Sequence, residues 1–287
     1  MDVTHSTADG QEALWNGSAG RAWVETQDVL DQMFKPFEEL LVEAVPAGSS
    51  NRVLDVGCGA GTTTIAVARR LGAEGCSIGI DISAPLIAAA QARVEGARAQ
   101  QDGSPVSFIH ANAQAHAFEP ASFDTILSRF GVMFFDDPVQ AFRNLRRAAR
   151  NGARLRFVAW RSAAENPFMT TAERAAAPVL PNLPARRPDA PGQFAFADRH
   201  RVHAILEKSG WGEIDILPID MACTLPETDL VHYLTRLGPV GQVLHETDDL
   251  TRRQVIETVR AAFDPYVHGA EVRFTAACWR VQATTPV

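Results

Sequence analysis

The chain has 287 residues and a formal net charge of −7, from 27 Lys and Arg against 34 Asp and Glu. That balance excludes a generally basic nucleic-acid binder, and the four cysteines, at 58, 76, 223 and 278, lack the spacing of a disulfide scaffold or a zinc site. With 46% apolar residues the chain is long enough to bury a large core, and no apolar run approaches the ~18 residues of a membrane helix.

Met1–Gly10 carries Asp2, His5 and Asp9 and has no apolar stretch, so it does not read as a signal peptide, and a cytoplasmic location is expected. Residues 1–50 have a helical pattern with a polar start. Arg52-Val53-Leu54-Asp55-Val56 is a short apolar strand that runs into the glycine-rich turn Gly57-Cys58-Gly59-Ala60-Gly61. Thr64, Ile65, Ala68 and Leu71 then recur at helical spacing, with Gly72 as a stop. Ser77–Asp81 reads as a second strand. Ser83 caps the helix that follows, Pro85 sits in its first turn, and Gly96 ends it. Val106–His110 and Phe123–Ser128 are the third and fourth strands. Asp137-Pro138 starts a helix whose Val139, Phe142, Leu145 and Ala149 face inward, and Arg154–Trp160 is the fifth strand.

The last third is less regular. Six prolines between Asn166 and Gly192 argue against long elements there. Asp198 caps a helix to Ser209, Glu213–Leu217 is a strand interrupted at Pro218, Thr228–Leu237 and Thr251–Phe263 are helical, and Val272–Ala283 is a final strand. Strands alternating with helices imply βαβ units and a mostly parallel sheet, whose ligands bind outside the carboxyl ends of the strands.

That rule singles out the turn after the first strand. Its glycines allow positive φ and close approach of backbone to a ligand, and the next helix offers unpaired N–H groups. Asp81 ends the second strand, where a carboxylate can accept from ribose hydroxyls. The pattern is DxGxGxG rather than the dinucleotide GxGxxG, and Asp55 suits a ligand with an ammonium or sulfonium charge better than a pyrophosphate. A nicotinamide-dependent oxidoreductase is the alternative that this spacing disfavours.

Val53–Thr62 resembles motif I of the Rossmann-like S-adenosylmethionine-dependent methyltransferases. Gly79–Ser83 resembles that family's acidic loop, Ala111–Gln114 its adenine-bracketing segment, and Phe123–Phe135 the fourth-strand segment of its small-molecule subgroup, near the ubiquinone/menaquinone-type enzymes. The resemblance implies an α/β fold: a doubly wound, mostly parallel seven-stranded sheet in a single domain. It has an N-terminal helical lid (1–50), a cofactor-binding core (51–160) and a C-terminal part (161–287) that completes the sheet and covers the substrate. It implies S-adenosyl-L-methionine as cofactor and a small-molecule acceptor, with no nucleic-acid or membrane partner and either a monomer or a homodimer.

Role by role, the resemblance puts Gly57, Gly59 and Gly61 along the methionine and ribose, Asp55 near the amino group, and Asp81 on the ribose diol. Ile82, Asn112 and Ala113 then meet the adenine, and Ser128 and Phe130 border the reacting methyl. Position 112 is often Asp in the family, so Asn112 gives a contact without charge assistance. Trp15, Trp23, Phe34 and Met133 are expected at the lid and substrate side. No unmistakable base is present; His110, His116 and His200 are the weak candidates, and no metal is implied. Arg143, Arg146, Arg147 and Arg150 follow helical spacing as a solvated face, and Arg186, Arg187, Arg199 and Arg201 flank the proline-rich stretch. A non-catalytic binder of S-adenosylmethionine or its demethylated product fits the same motifs.

Overall fold

The computed structural model describes residues 7–97, 103–184, 186 and 190–286; Arg187 and the first six residues lie outside them. Four short helices come first: α1 (Thr7–Asn16), α2 (Ser18–Glu25), α3 (Gln27–Met33) and α4 (Lys35–Val42). The alternating core follows as β1 (Arg52–Val56), α5 (Thr62–Arg70), β2 (Cys76–Asp81), α6 (Ala84–Ala97), β3 (Val106–His110), β4 (Phe123–Arg129), α7 (Pro138–Ala148) and β5 (Ala149–Trp160). The remainder is α8 (Pro167–Ala176), α9 (Arg199–Lys208), β6 (Gly212–Pro226), α10 (Leu230–Arg236), α11 (Gly238–Leu244), α12 (Asp249–Ala262), β7 (Val267–His268) and β8 (Glu271–Thr284).

The sheet runs β3-β2-β1-β4-β5-β8-β6, with the two-residue β7 added beside β8, so among the described residues it has eight strands rather than seven. β1 to β5 pair in parallel, and β8 runs antiparallel to both β5 and β6. From β1 the chain moves outward to β2 and β3, then crosses back to β4. The order therefore reverses between β1 and β4, the place where sheets of this kind bind ligands.

The helix ends follow local chemistry. Asp137 accepts from the Gln140 N–H at 2.9 Å and Pro138 takes the first helical position of α7. Asp198 and Asp248 cap α9 and α12 in the same way. Gly72 is not a left-handed stop: α5 ends at Leu71 in an extended conformation, and Gly72 is small because a Cβ there would meet the Gly48 carbonyl at 2.5 Å.

Several expected boundaries shift. α6 runs through Gly96 to Ala97, and Ala149 belongs to β5 rather than to α7. The proline-rich stretch does hold a regular helix, because Pro167 occupies the first turn of α8, where its missing N–H costs nothing. β6 passes through Pro218 without a break because it is the sheet's edge strand, where one lost donor is tolerated.

One large apolar core lies between the sheet, α3, α4 and the C-terminal helices; Phe37, Phe142, Phe157 and Phe263 are among its fully buried members. A smaller one, Val45, Val53, Val67, Leu71 and Leu127, joins α5 to the other sheet face. Arg143 and Arg146 stay on the surface and donate to the Lys208 and Gly210 carbonyls, both at 3.3 Å, at the end of α9. Among the described residues no helix is long and apolar enough to cross a membrane.

Candidate active site

The carboxyl ends of β1 to β4 open into one cavity of about 360 Å³. Its shape begins with a contact between two glycines. A Cβ on Gly57 would lie 2.6 Å from the Gly131 Cα, and one on Gly131 would lie 2.6 Å from the Val56 carbonyl oxygen. The turns after β1 and β4 therefore touch with no side chain between them. Gly57 also has φ +67°, which glycine adopts freely. Gly59 differs: at φ +55° its Cβ would meet nothing within 4 Å, because that side is the cavity.

Asp81 lines the cavity at the end of β2. Its two carboxylate oxygens accept from the Gly59 N–H at 2.8 Å and the Ser83 N–H at 2.9 Å. Each oxygen keeps a lone pair for an incoming hydroxyl. Burial raises its pKa, and the Ser83 and Gly59 N–H groups work the other way.

Asp55 stands behind the turn, 1% exposed and not in the cavity wall. Its Oδ2 accepts from the Thr64 hydroxyl at 2.7 Å, while its buried Oδ1 has no partner. Burial pushes its pKa up to about 6; the Thr64 hydroxyl and the field of Arg129 oppose the rise.

Arg129 ends β4 and lines the same cavity. Its Nη2 lies 3.7 Å from Asp31 on α3, and its buried Nη1 has no partner. A guanidinium nitrogen with nothing to donate to is costly in a closed site. Sequence pattern alone does not single out Arg129; the signal it offers is a cationic residue at the carboxyl end of β4, where ligands bind.

The next residue, Phe130, has φ +63°, a left-handed conformation that costs a non-glycine residue about 1–2 kcal/mol. Aromatic packing holds it there. Its ring stacks on Trp160 at 4.7 Å and 11°, and Phe34 and Phe37 close in at 5.3 and 5.0 Å.

Gly57, Gly59, Asp81, Ile82, Asn112 and Ala113 all line the cavity. So do Phe130 and the expected lid and substrate residues Trp15, Trp23, Phe34 and Met133. Asn112 already spends one lone pair of Oδ1 on the Gln114 N–H, at 3.0 Å. Gly61 sits behind the wall as the left-handed residue before α5, where a Cβ would meet Phe108 at 2.7 Å. Ser128 is fully buried and turned inward: it donates to the Val56 carbonyl at 2.8 Å and accepts from the Gly131 and Val132 N–H groups at 3.2 Å.

Among the described residues no histidine lines the cavity. His110 bonds the Ile82 carbonyl at 3.0 Å, His116 packs edge-on to Phe118, and His200 is exposed at the start of α9. The described residues also hold no group of three or more His, Cys, Asp and Glu fit for a metal ion.

The first three helices close the cavity. Trp15 meets Trp23 and Phe134 edge-on at 5.6 and 5.2 Å. Asn16 donates to the Ile82 carbonyl at 3.0 Å and accepts from the Ala84 N–H at 2.8 Å; the Ser83 hydroxyl donates to the Trp15 carbonyl at 2.7 Å. On α3, Asp31 accepts from the Thr62 hydroxyl at 2.6 Å and from Arg93 at 2.7 Å.

Fold and site together define a Rossmann-like domain with its cavity at the β1–β4 crossing. Residues 53–152, about a third of the chain, match the family model described as a methyltransferase domain. It is 38% identical over 107 residues to a demethylmenaquinone methyltransferase of Lactiplantibacillus plantarum (37% of this chain, 44% of that one). It is 28% identical over 151 residues to the aklanonic acid methyltransferase DauC of a Streptomyces species (51% and 67%). The YcgJ protein of Bacillus subtilis shares the fold with a TM-score of 0.56 at 16% identity, over 88% of this chain and 99% of that one. The chain matches 44% of the length of its first curated relatives.

Proposed function

We propose that the protein is an S-adenosylmethionine-dependent methyltransferase acting on a small-molecule acceptor. The observation that carries this reading is the charge arrangement around the β1 and β4 turns: an orphaned Arg129 Nη1, an orphaned Asp55 Oδ1 and the braced carboxylate of Asp81. A cation and an anion that each keep one unpartnered atom suit a ligand that brings both charges, as the amino-acid end of S-adenosylmethionine does. The braced carboxylate beside them suits its ribose.

When bound, S-adenosylmethionine supplies a methyl group on a sulfonium, which a nucleophile takes by in-line displacement. The chain's own part is binding and orientation. Arg129 holds the carboxylate, and Asp55 favours the ammonium through its field from behind the turn. Asp81 accepts from the ribose hydroxyls, Gly59 lets the backbone come close, and Ile82 and Ala113 flank the adenine. Phe130 and Trp160 present aromatic faces that tolerate a nearby cation. The helices of residues 1–50 exclude water, residues 51–160 hold the cofactor, and residues 161–287 cover the acceptor. No histidine lines the wall among the described residues, so an acceptor that arrives protonated would lose its proton to solvent or to a carboxylate of the wall such as Asp136.

Thermal unfolding with S-adenosylmethionine, S-adenosylhomocysteine or NAD tests this directly. A ligand at 100 times its Kd stabilises the fold by about 2.7 kcal/mol, a rise of roughly 5 °C for a chain of this size. Both sulfur ligands are expected to give that rise and Asp81→Ala to abolish it. A rise with NAD alone overturns the reading, and binding without turnover on any acceptor panel leaves the non-catalytic binder.

A further inference from the structure

The far arm of the cavity differs chemically from the cofactor end. Past Phe130 the wall is built by Phe168 and Met169 of α8, Tyr233 and Leu234 of α10, Val240 of α11, and Phe263. Phe168 is a fixed platform: it stacks on Phe274 at 3.8 Å and 4°, and Phe263 and Tyr266 meet it edge-on at 5.0 and 5.1 Å. Phe168 and Phe263 are almost fully buried, so the cluster gives the arm a close-packed aromatic floor, which favours a flat apolar ring laid against it.

The charges in the wall leave this arm without an uncompensated cation among the described residues. Asp81 and Arg129 belong to the cofactor end. Glu173 and Arg186 neutralise each other through two contacts, and the Arg186 Nη1 also donates to Gln193 at 3.2 Å. Asp136 is the remaining charge, and an acid does not attract an anionic acceptor. A phosphate or carboxylate entering the arm would find no unpaired cation among the described residues.

The wall holds one hydroxyl among its described residues, that of Tyr233. Its partner is the Met169 Sδ at 3.7 Å, and a thioether is a weak acceptor. Burial pushes the phenol pKa well above its usual value, so it stays a donor across the physiological range. A partly buried donor with so poor a partner gains most from a ligand oxygen.

Resting on the methyltransferase reading, we propose that Tyr233 sets acceptor specificity: the arm takes an uncharged, planar ring compound that offers a carbonyl or ether oxygen to the Tyr233 hydroxyl. The hydroxyl orients the ring and takes no part in bond making.

Calorimetric titration of the protein, with and without saturating S-adenosylhomocysteine, tests this using 1-indanone, its carbonyl-free match indane, and phosphoethanolamine. The wild type is expected to bind 1-indanone roughly five- to tenfold more tightly than indane, and phosphoethanolamine not at all. Tyr233→Phe, an isosteric change whose folding is checked by its Tm, is expected to erase the preference for the ketone while leaving indane and S-adenosylhomocysteine affinity unchanged. Equal affinity of wild type and Tyr233→Phe for 1-indanone overturns the proposal, as does tighter binding of phosphoethanolamine. Failure of S-adenosylhomocysteine to bind counts against the methyltransferase reading instead, and the titrations without it still decide the role of Tyr233.

Discussion

Asp55→Asn isolates the electrostatics of the site. In the ligand-free protein Asp55 is buried, its Oδ1 has no partner, and its pKa stands at about 6 against an ordinary 3.8. Between those values the unfolded chain is ionised while the folded protein still holds the proton, so stability falls as pH rises through this window. At ~1.4 kcal/mol per pH unit the loss is complete above pH 6 and amounts to about 3 kcal/mol. Asn keeps an oxygen for the Thr64 hydroxyl and removes the charge. Its amide N–H2 needs a partner in turn, at a cost of about 1 kcal/mol or more. The net gain at pH 8 is therefore about 1–2 kcal/mol, or a Tm some 2–6 °C above wild type. The charge contribution is roughly halved at pH 5, where folded Asp55 is mostly protonated, so the advantage shrinks. S-adenosylmethionine affinity is expected to move the other way, dropping about tenfold in the variant and, for wild type, weakening below pH 6. Thermal melts at pH 5 and pH 8 read all of this. An Asp55→Asn protein no more stable than wild type at pH 8, or equally stabilised at both pH values, would refute the reasoning.

Three further outcomes are expected. Gly131→Ala places a methyl 2.6 Å from the Val56 carbonyl oxygen at an ordinary φ of −78°, so it should cost about 1–3 kcal/mol by overpacking alone, read as a lower Tm without ligand. Gly59→Ala has open space around its Cβ and pays only for φ +55°, about 1–2 kcal/mol; its loss of S-adenosylhomocysteine affinity by calorimetry should be the larger effect. Arg129→Met removes the guanidinium that pairs with Asp31 and whose field opposes the raised pKa of Asp55, so the Asp55 pKa should rise further and S-adenosylmethionine affinity should fall at least tenfold; 5′-methylthioadenosine, which lacks the amino-acid end, should bind both proteins alike.

The sequence made the β1 turn and Asp81 readable because their meaning is local: a strand, three glycines, a helix start, and an acid closing the next strand. Arg129 carried its information elsewhere. Only the fold shows that one of its nitrogens is buried and alone, and that Asp31, nearly a hundred positions away, stands beside the other. Ser128 misled for a related reason. Strand alternation turns it toward Val56, where it ties two turns together, and its neighbour Arg129 takes the place on the cavity wall. Six prolines in a short stretch argue against a helix by their number, yet Pro167 sits at the first turn of α8, where a helix accepts one. Pro218 reads as a break in the sequence because nothing local says that β6 is an edge. The Tyr233 hydroxyl could not be ranked above any other tyrosine until α8 and α10 were seen to share a wall.

The contacts of Asn16 and Ser83 have a consequence for the order of events in a turnover. The first helices are bonded to the same short turn, Asp81 to Ala84, whose Ser83 N–H braces the Asp81 carboxylate. On the proposed reading, lifting those helices would break these three hydrogen bonds and disturb the turn that carries Asp81, so that uncovering the site and loosening a bound nucleoside would be coupled.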